Sequence, residues 1–372
     1  MKPLDRYLAE LARLGGLVSA AEGIVATGSE PLWRGASGFR VGGEPLQPAL
    51  GARFDAASLT KPWMATLALV LDARGELPLE AALGEIAGTP VEGRLAGRTL
   101  EDLLRHRAGV RAWTPLTLRL GRRLGDRSAL RDLVLAEPLD PGGRSTYSDL
   151  GYLLWGVLAE QRTGRSLADL LDALVCEPLG LAPLGALAAD PPDAVECRLD
   201  NGREGDLAAA QGLRLEPRRS FHGGRPQDGN ARALGYLGAH AGLFVTADEQ
   251  LALAREWLAP GRLLEAGRVA RALAGEGSHA LGWARAAAAA SAPRGLSARS
   301  FGHSGFTGGS LWIDPERGRI QILLAHRLSS RMDFDPFRRE FHRLAAELDS
   351  PDPGPRAGSP LGESPTRRQK LH

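Results

Sequence analysis

Lysine and cysteine are almost missing from this 372-residue sequence. Two cysteines, Cys176 and Cys197, exclude a disulfide-built scaffold and a cysteine-rich zinc module. Long apolar runs are missing too. The longest, Trp63 to Leu71, is about half of what a membrane span needs. So is an excess of one charge: 46 Lys and Arg against 44 Asp and Glu leave +2, no field for nucleic acid or an anionic membrane. Asp5, Arg6, Glu10 and Arg13 break up any export-signal core, so the expectation is a cytoplasmic protein with reduced thiols. HEXXH, the P-loop and the dinucleotide fingerprint are absent and the histidines are scattered, so neither metal nor cofactor is expected. Cys176 and Cys197 read as inert packing residues.

The lysine shortage has a positive side. Only Lys2, Lys61 and Lys370 stand among the 46 basic residues, and only Lys61 is internal. Coding bias toward arginine explains the shortage. Against that habit, one internal lysine suggests a need for an amine that can lose its proton, which arginine cannot do; chance survival of one lysine is the alternative.

Length and 43% hydrophobic content give a soluble chain with a substantial core. Leu4, Leu8, Leu11 and Leu14 predict an amphipathic helix over Pro3 to Leu17. Glycine-broken apolar runs from Gly23 to Arg40 predict a hairpin, and Phe54 to Arg74 reads as a strongly apolar helix. The stretch 75–210 is mostly helical by pattern. Within it Ser166 to Asp169 reads as a capping box, with Pro178 ending that helix. Asp190 to Asp228 reads as loop. Leu311–Ile313 and Ile320–Ala325 flank turn residues and form a hairpin. Phe337 to Leu348 is a last amphipathic helix, and 350–372 a disordered tail. The expected fold class is α+β: one antiparallel β-sheet flanked by helices, with a mostly helical second lobe inserted. The expected division is a single unit over 1–349, one lobe from about 1–60 and 230–349, the other from about 61–229. A site is expected in the cleft between the lobes.

Three short segments carry candidate chemistry. In Phe54-Asp55-Ala56-Ala57-Ser58-Leu59-Thr60-Lys61-Pro62, proline belongs in a first helical turn, so Ser58 stands at or just before the helix start. Lys61 then lies on the same face one turn on, where a base could activate the hydroxyl. A capping serine with a solvated lysine gives the same pattern. In Tyr147-Ser148-Asp149, a tyrosine and an acid precede an apolar helix; packing and an N-cap are the plainer roles. His303-Ser304-Gly305-Phe306-Thr307-Gly308-Gly309 leads into the strand Ser310-Leu311-Trp312-Ile313 and suits close backbone approach by a ligand. It fails the G-x-S-x-G elbow, since Phe306 stands where the second glycine would be.

In order and spacing the three segments resemble the S-x-x-K, Y-x-N and K/H-x-G motifs of the serine β-lactamase and penicillin-binding-protein superfamily, its class C-like, esterase-containing branch above all. Thr99 to Val110, the stretch from Tyr147 to Leu181, and Asn230 to Ala252 share the likeness, which runs from about Val18 to Arg327. The resemblance implies that Ser58 is the acylated nucleophile, Lys61 the activating amine and Tyr147 the partner acid/base. Asp149 takes the third motif position. His303 and Gly305 line the opposite wall, and the backbone amides of Ser58 and Phe306 form the oxyanion hole. It also implies a small-molecule ester, amide or lactam substrate, with no nucleic-acid partner; oligomeric state is left open. Two positions depart from the family pattern. Asp149 replaces the usual asparagine and would favour the charged form of Lys61. His303 replaces lysine, leaving that wall less positive. The reading is a serine hydrolase, esterase before β-lactamase or D-amino-acid peptidase; a catalytically silent binding module is the alternative of another class. His106 and His240 are expected to make structural hydrogen bonds, and His326-Arg327 to lie at the rim or surface.

Overall fold

Strands from both ends of the chain meet in one sheet. In chain order they are β1 (Val18–Thr27), β2 (Pro31–Gly38), β3 (Phe54–Asp55), β4 (Phe244–Val245), β5 (Ala284–Arg285), β6 (Phe301–Ser304), β7 (Gly308–Asp314) and β8 (Arg319–Arg327). Six run antiparallel in the order β2-β1-β8-β7-β6-β5, while β3 and β4 form a separate ribbon. The structure is a computed structural model describing residues 2–348 except 14–16, 29, 40–48, 140–144, 186–190, 192, 198, 219–223 and 236. The tail read over 350–372 lies outside the described residues.

Side-chain alternation divides the sheet's two faces between two cores. On one face Ala21 and Val25 of β1 and Leu323 and Ala325 of β8 meet the helices Pro3–Arg13 and Asp335–Ala346 through Leu4, Leu8 and Phe341. On the other, Ala20, Ile24, Ile320, Ile322 and Leu324 join the main core with the helices Thr60–Ala73 and Ala247–Leu258. With both faces covered, β8 is buried along its whole length, which explains its nearly unbroken apolar run.

The Thr60–Ala73 helix runs through the centre, buried from Thr60 to Leu69 and at Leu71. Each fully buried large apolar side chain there stabilises by roughly 1.5–3 kcal/mol. Trp63, Met64, Leu67 and Leu71 together offset the several kcal/mol that burying the single charge of Lys61 costs.

Several local expectations change. Phe54–Asp55 is strand rather than helix, because it pairs with Phe244–Val245. Pro178 does not end its helix. A π-turn over Asp172–Cys176 leads into Glu177–Leu179, where proline is tolerated near the start, and Gly180 closes the segment in the left-handed region. Ser166 caps its helix by accepting the Asp169 amide (3.1 Å), but the Asp169 carboxylate accepts from the Ser166 hydroxyl (2.6 Å) and not from the Ser166 amide. Complete capping boxes stand instead at Thr99 and Thr246. The region read as loop holds a helix, Gly202–Ala209. Among the described residues no helix is long and apolar enough to cross a membrane.

Candidate active site

Asp55 builds the corner on which Ser58 stands. Its carboxylate accepts the amides of Ala57 (2.9 Å) and Gln227 (2.7 Å), and its own amide donates to Nε2 of His326 (2.9 Å). The Thr307 hydroxyl donates to its carbonyl (2.8 Å). Burial pushes the Asp55 carboxyl up to about 6 against the pull of those two amides. Held this way, Ala57 adopts φ +46°, a conformation costing a non-glycine residue on the order of 1–3 kcal/mol. A 3₁₀ turn, Ala57–Leu59, carries Ser58 directly ahead of the helix, as the position of Pro62 predicts. The Ser58 side chain caps nothing and accepts from Lys61 instead.

Lys61 is completely buried. Its Nζ lies 2.9 Å from Ser58 Oγ, 2.6 Å from Asp149 Oδ1 and 3.0 Å from the His240 carbonyl oxygen. The last two groups only accept, so they take two N–H bonds in any protonation state. The third direction, toward Ser58, serves an ammonium as donor and a neutral amine as acceptor without rearrangement. Burial opposes the charge, but Asp149, joined by Tyr147, outweighs it and raises the Lys61 pKa above the ordinary lysine value. Asp149 therefore does favour the cation, through a direct hydrogen bond.

Tyr147 is half-buried, its ring centroid 4.9 Å from Nζ of Lys61. Burial raises its pKa, Lys61 pulling the other way and Asp149 adding to the rise. His106 stacks on the ring at 4.5 Å and accepts the Ser148 amide at Nδ1 (3.0 Å) from a strained φ of +58°. Burial holds its imidazole neutral, His279 and Lys61 adding to the effect. The helix Asp149–Thr163 is capped by Ser148, whose Oγ accepts from Gly151 (3.0 Å), and not by Asp149. That frees the Asp149 carboxylate for Lys61.

The opposite wall is the β6–β7 turn. A Cβ on Gly305 would lie 2.6 Å from the Ala56 carbonyl oxygen, so only glycine lets this turn approach the Ser58 corner. Its amide donates to Gly309 (2.8 Å). Phe306 lines two cavities with Ser58 and Tyr147. One, about 330 Å³, also reaches His279, His303, Arg327 and Arg338. The other, about 140 Å³, reaches Asp149, Trp113, Glu204 and Asp228. His303 is pushed down to about 3, by burial first and Lys61 second, so it is neutral. The wall therefore carries no charge at His303, while Arg327 and Arg338 bring two cations to the same cavity.

The structure thus brings Ser58, Lys61, Tyr147, Asp149, His303, Gly305 and Phe306 together. His240 makes its expected structural bond, Nε2 to Asp228 Oδ1 (2.9 Å). His326 is not at the surface: it is buried beneath Asp55 and edge-on to Phe54 at 5.3 Å. His106 makes a structural bond as expected and Arg327 lines the cavity, while Asp55 and Arg338 are the site-forming residues that the sequence reading did not single out. An aspartate inside the apolar Phe54–Leu59 stretch was the one available signal. Both cysteines are buried, with thiols pushed up to about 12. No three His, Cys, Asp or Glu among the described residues are placed to hold a metal ion.

Comparison with known proteins agrees with this arrangement. The Beta-lactamase family profile matches residues 4–346. Esterase EstB of Burkholderia gladioli is 32% identical over 319 residues, 75% of this chain and 77% of that protein. A putative D-alanyl-D-alanine carboxypeptidase of Escherichia coli O157:H7 is 27% identical over 315 residues, 76% of this chain and 71% of that protein. Among solved structures, EstCE1, described as a hydrolase with promiscuous acyltransferase activity, superposes with a TM-score of 0.70 at 19% identity, covering 92% of this chain and 97% of that one; this likeness speaks for the fold. A profile spanning nearly all of the described chain, on an α+β fold with the S-x-x-K serine at its cavity, makes this protein a member of the Beta-lactamase family of serine hydrolases.

Proposed function

We propose that the protein hydrolyses carboxylic esters of small molecules through an acyl-enzyme on Ser58. The observation that carries this is the 2.9 Å contact between the buried Lys61 amine and Ser58 Oγ, a residue that lines two cavities. Ser58 Oγ attacks the ester carbonyl, and its proton passes to Tyr147 in its phenolate form, which the Lys61 cation favours against burial and Asp149. The phenol returns that proton to the departing alkoxide. Water then repeats the cycle on the acyl-enzyme and releases the acid. The amides of Ser58 and Phe306 stabilise the oxyanion. Asp149 keeps Lys61 charged, which makes Lys61 the fixed field and Tyr147 the proton carrier.

The preference for esters rests on His303, which is neutral where a cation would hold a substrate carboxylate. The likeness to an esterase at 32% identity supports it. A D-alanyl-peptide or lactam substrate is the second reading, supported by the likeness to a putative D-alanyl-D-alanine carboxypeptidase at 27% identity. The test compares kcat/KM for a p-nitrophenyl ester and a chromogenic cephalosporin at pH 8. Ester turnover should exceed cephalosporin turnover. The reverse order overturns the ester preference and promotes the second reading.

A further inference from the structure

The ring of His303 is held in one tautomer. Its Nδ1 lies 2.9 Å from the carbonyl oxygen of Ser304. A carbonyl oxygen only accepts, so Nδ1 carries the proton. In a neutral imidazole Nε2 is then a bare lone pair. That atom has no partner among the described residues, and His303 lines the 330 Å³ cavity together with Ser58. The site therefore presents an acceptor where lysine would present a cation.

The two arginines of the cavity do not cancel this. Arg338 spends its guanidinium on the carbonyls of Gly305, Gly308 and Gly309 and on Asp335. Arg327 donates to the carbonyls of Phe306 and Met332 and stacks over the Phe306 ring at 4.3 Å. Both hold the wall together. His303 Nε2 is uncommitted.

We propose that His303 is a specificity-determining residue that accepts a hydrogen bond from the substrate, selecting esters with a hydroxyl or amine N–H close to the scissile carbonyl over esters with a carboxylate there. This rests on the acyl-enzyme reading of Ser58. Ser58 and His303 line the same cavity, so a donor that reaches His303 while Ser58 attacks stands close to the carbonyl.

Three p-nitrophenyl esters of matched length test the idea: a 3-hydroxybutyrate, its 3-methoxy ether and a hemisuccinate. One neutral hydrogen bond gives the hydroxy ester roughly a three- to tenfold advantage in kcat/KM over the ether. The hemisuccinate should be the poorest of the three. In His303→Phe the hydroxy-to-ether ratio should fall to about one, and in His303→Lys the hemisuccinate should gain on both. The ether, lacking the donor, reports in each variant whether the site still works. Where His303→Phe is inactive on the ether, His303→Lys alone decides. Equal rates for hydroxy ester and ether in the wild type, or a preference for the hemisuccinate, overturn the proposal while leaving the acyl-enzyme reading in place. No turnover of any of the three overturns that reading, and this inference with it.

Discussion

Replacing Asp149 by asparagine changes one charge at a defined distance. The Asp149 carboxylate lies 2.6 Å from Lys61 Nζ, in a site where Lys61 is fully buried. It favours the charged lysine and disfavours the tyrosinate of Tyr147. Both effects have the same sign: each makes the pair hold its proton more tightly. Removing the carboxylate therefore eases proton loss from the site whichever residue is the base. A charge-assisted hydrogen bond is worth roughly 1.5–3 kcal/mol net. At fixed pH that shifts the ratio of deprotonated to protonated site by roughly ten- to a hundredfold. The resulting base is weaker, so the gain in rate is smaller than the gain in population. The assay is the pH profile of kcat/KM for a p-nitrophenyl ester, Asp149→Asn against wild type, from pH 5 to 10. The rising limb should move to lower pH, with higher activity at pH 6 to 7. The Ser148 cap and the Asp149 amide bond to Ala112 (2.9 Å) are untouched by the change, so the helix start should survive it. A limb that stays in place, or moves upward, would refute the reasoning.

Tyr147→Phe should lower kcat by roughly 10² to 10⁴ with little change in KM, the range expected for losing a general acid/base; a mild effect moves that role to Lys61. Lys61→Arg, which keeps the charge but cannot release a proton, should retain more ester turnover than Lys61→Met, and equal loss in both would mean that a cycling amine is required. His342 gives a stability test. It is buried between Ser310 (2.7 Å) and Gln321 (3.0 Å) and pushed down to about 3 by burial, with Arg338 adding to the effect. A group depressed in the folded state contributes its full stability above the unfolded value near 6.5 and loses it as pH falls toward 3. The stability gap between wild type and His342→Gln, measured by urea unfolding, should shrink by about 2 kcal/mol between pH 7 and pH 5. A constant gap would mean the imidazole is not held neutral.

What could be read in the sequence was what short-range geometry determines. The Ser58–Lys61 spacing needs only one helical turn, and Pro62 marks where that turn starts. The turn chemistry between β7 and β8 is equally local, and the hairpin forms as expected, though longer. What stayed hidden depends on partners far along the chain. Phe54–Asp55 becomes strand because Phe244 and Val245 lie beside it. Gly202–Ala209 is a helix despite its glycines and charges, with the Glu204 carboxylate fixed by the Gly229 amide (2.8 Å). The same holds in the site. Ser58, Lys61, Tyr147 and His303 stand in recognisable motifs, but Asp55, His106 and Arg338 act through bonds to distant backbone groups. Arg338 shows this most plainly: no local pattern announces that it returns from the last helix to the Gly305 carbonyl.

The central claim is that Ser58 carries the acyl group, and covalent labelling read by intact mass tests it most directly. A fluorophosphonate probe should add one label per chain, peptide mapping should place it on Ser58, and Ser58→Ala should take up none while keeping the wild-type unfolding transition. Labelling that persists in Ser58→Ala, or that maps to another residue in the wild type, would contradict the account.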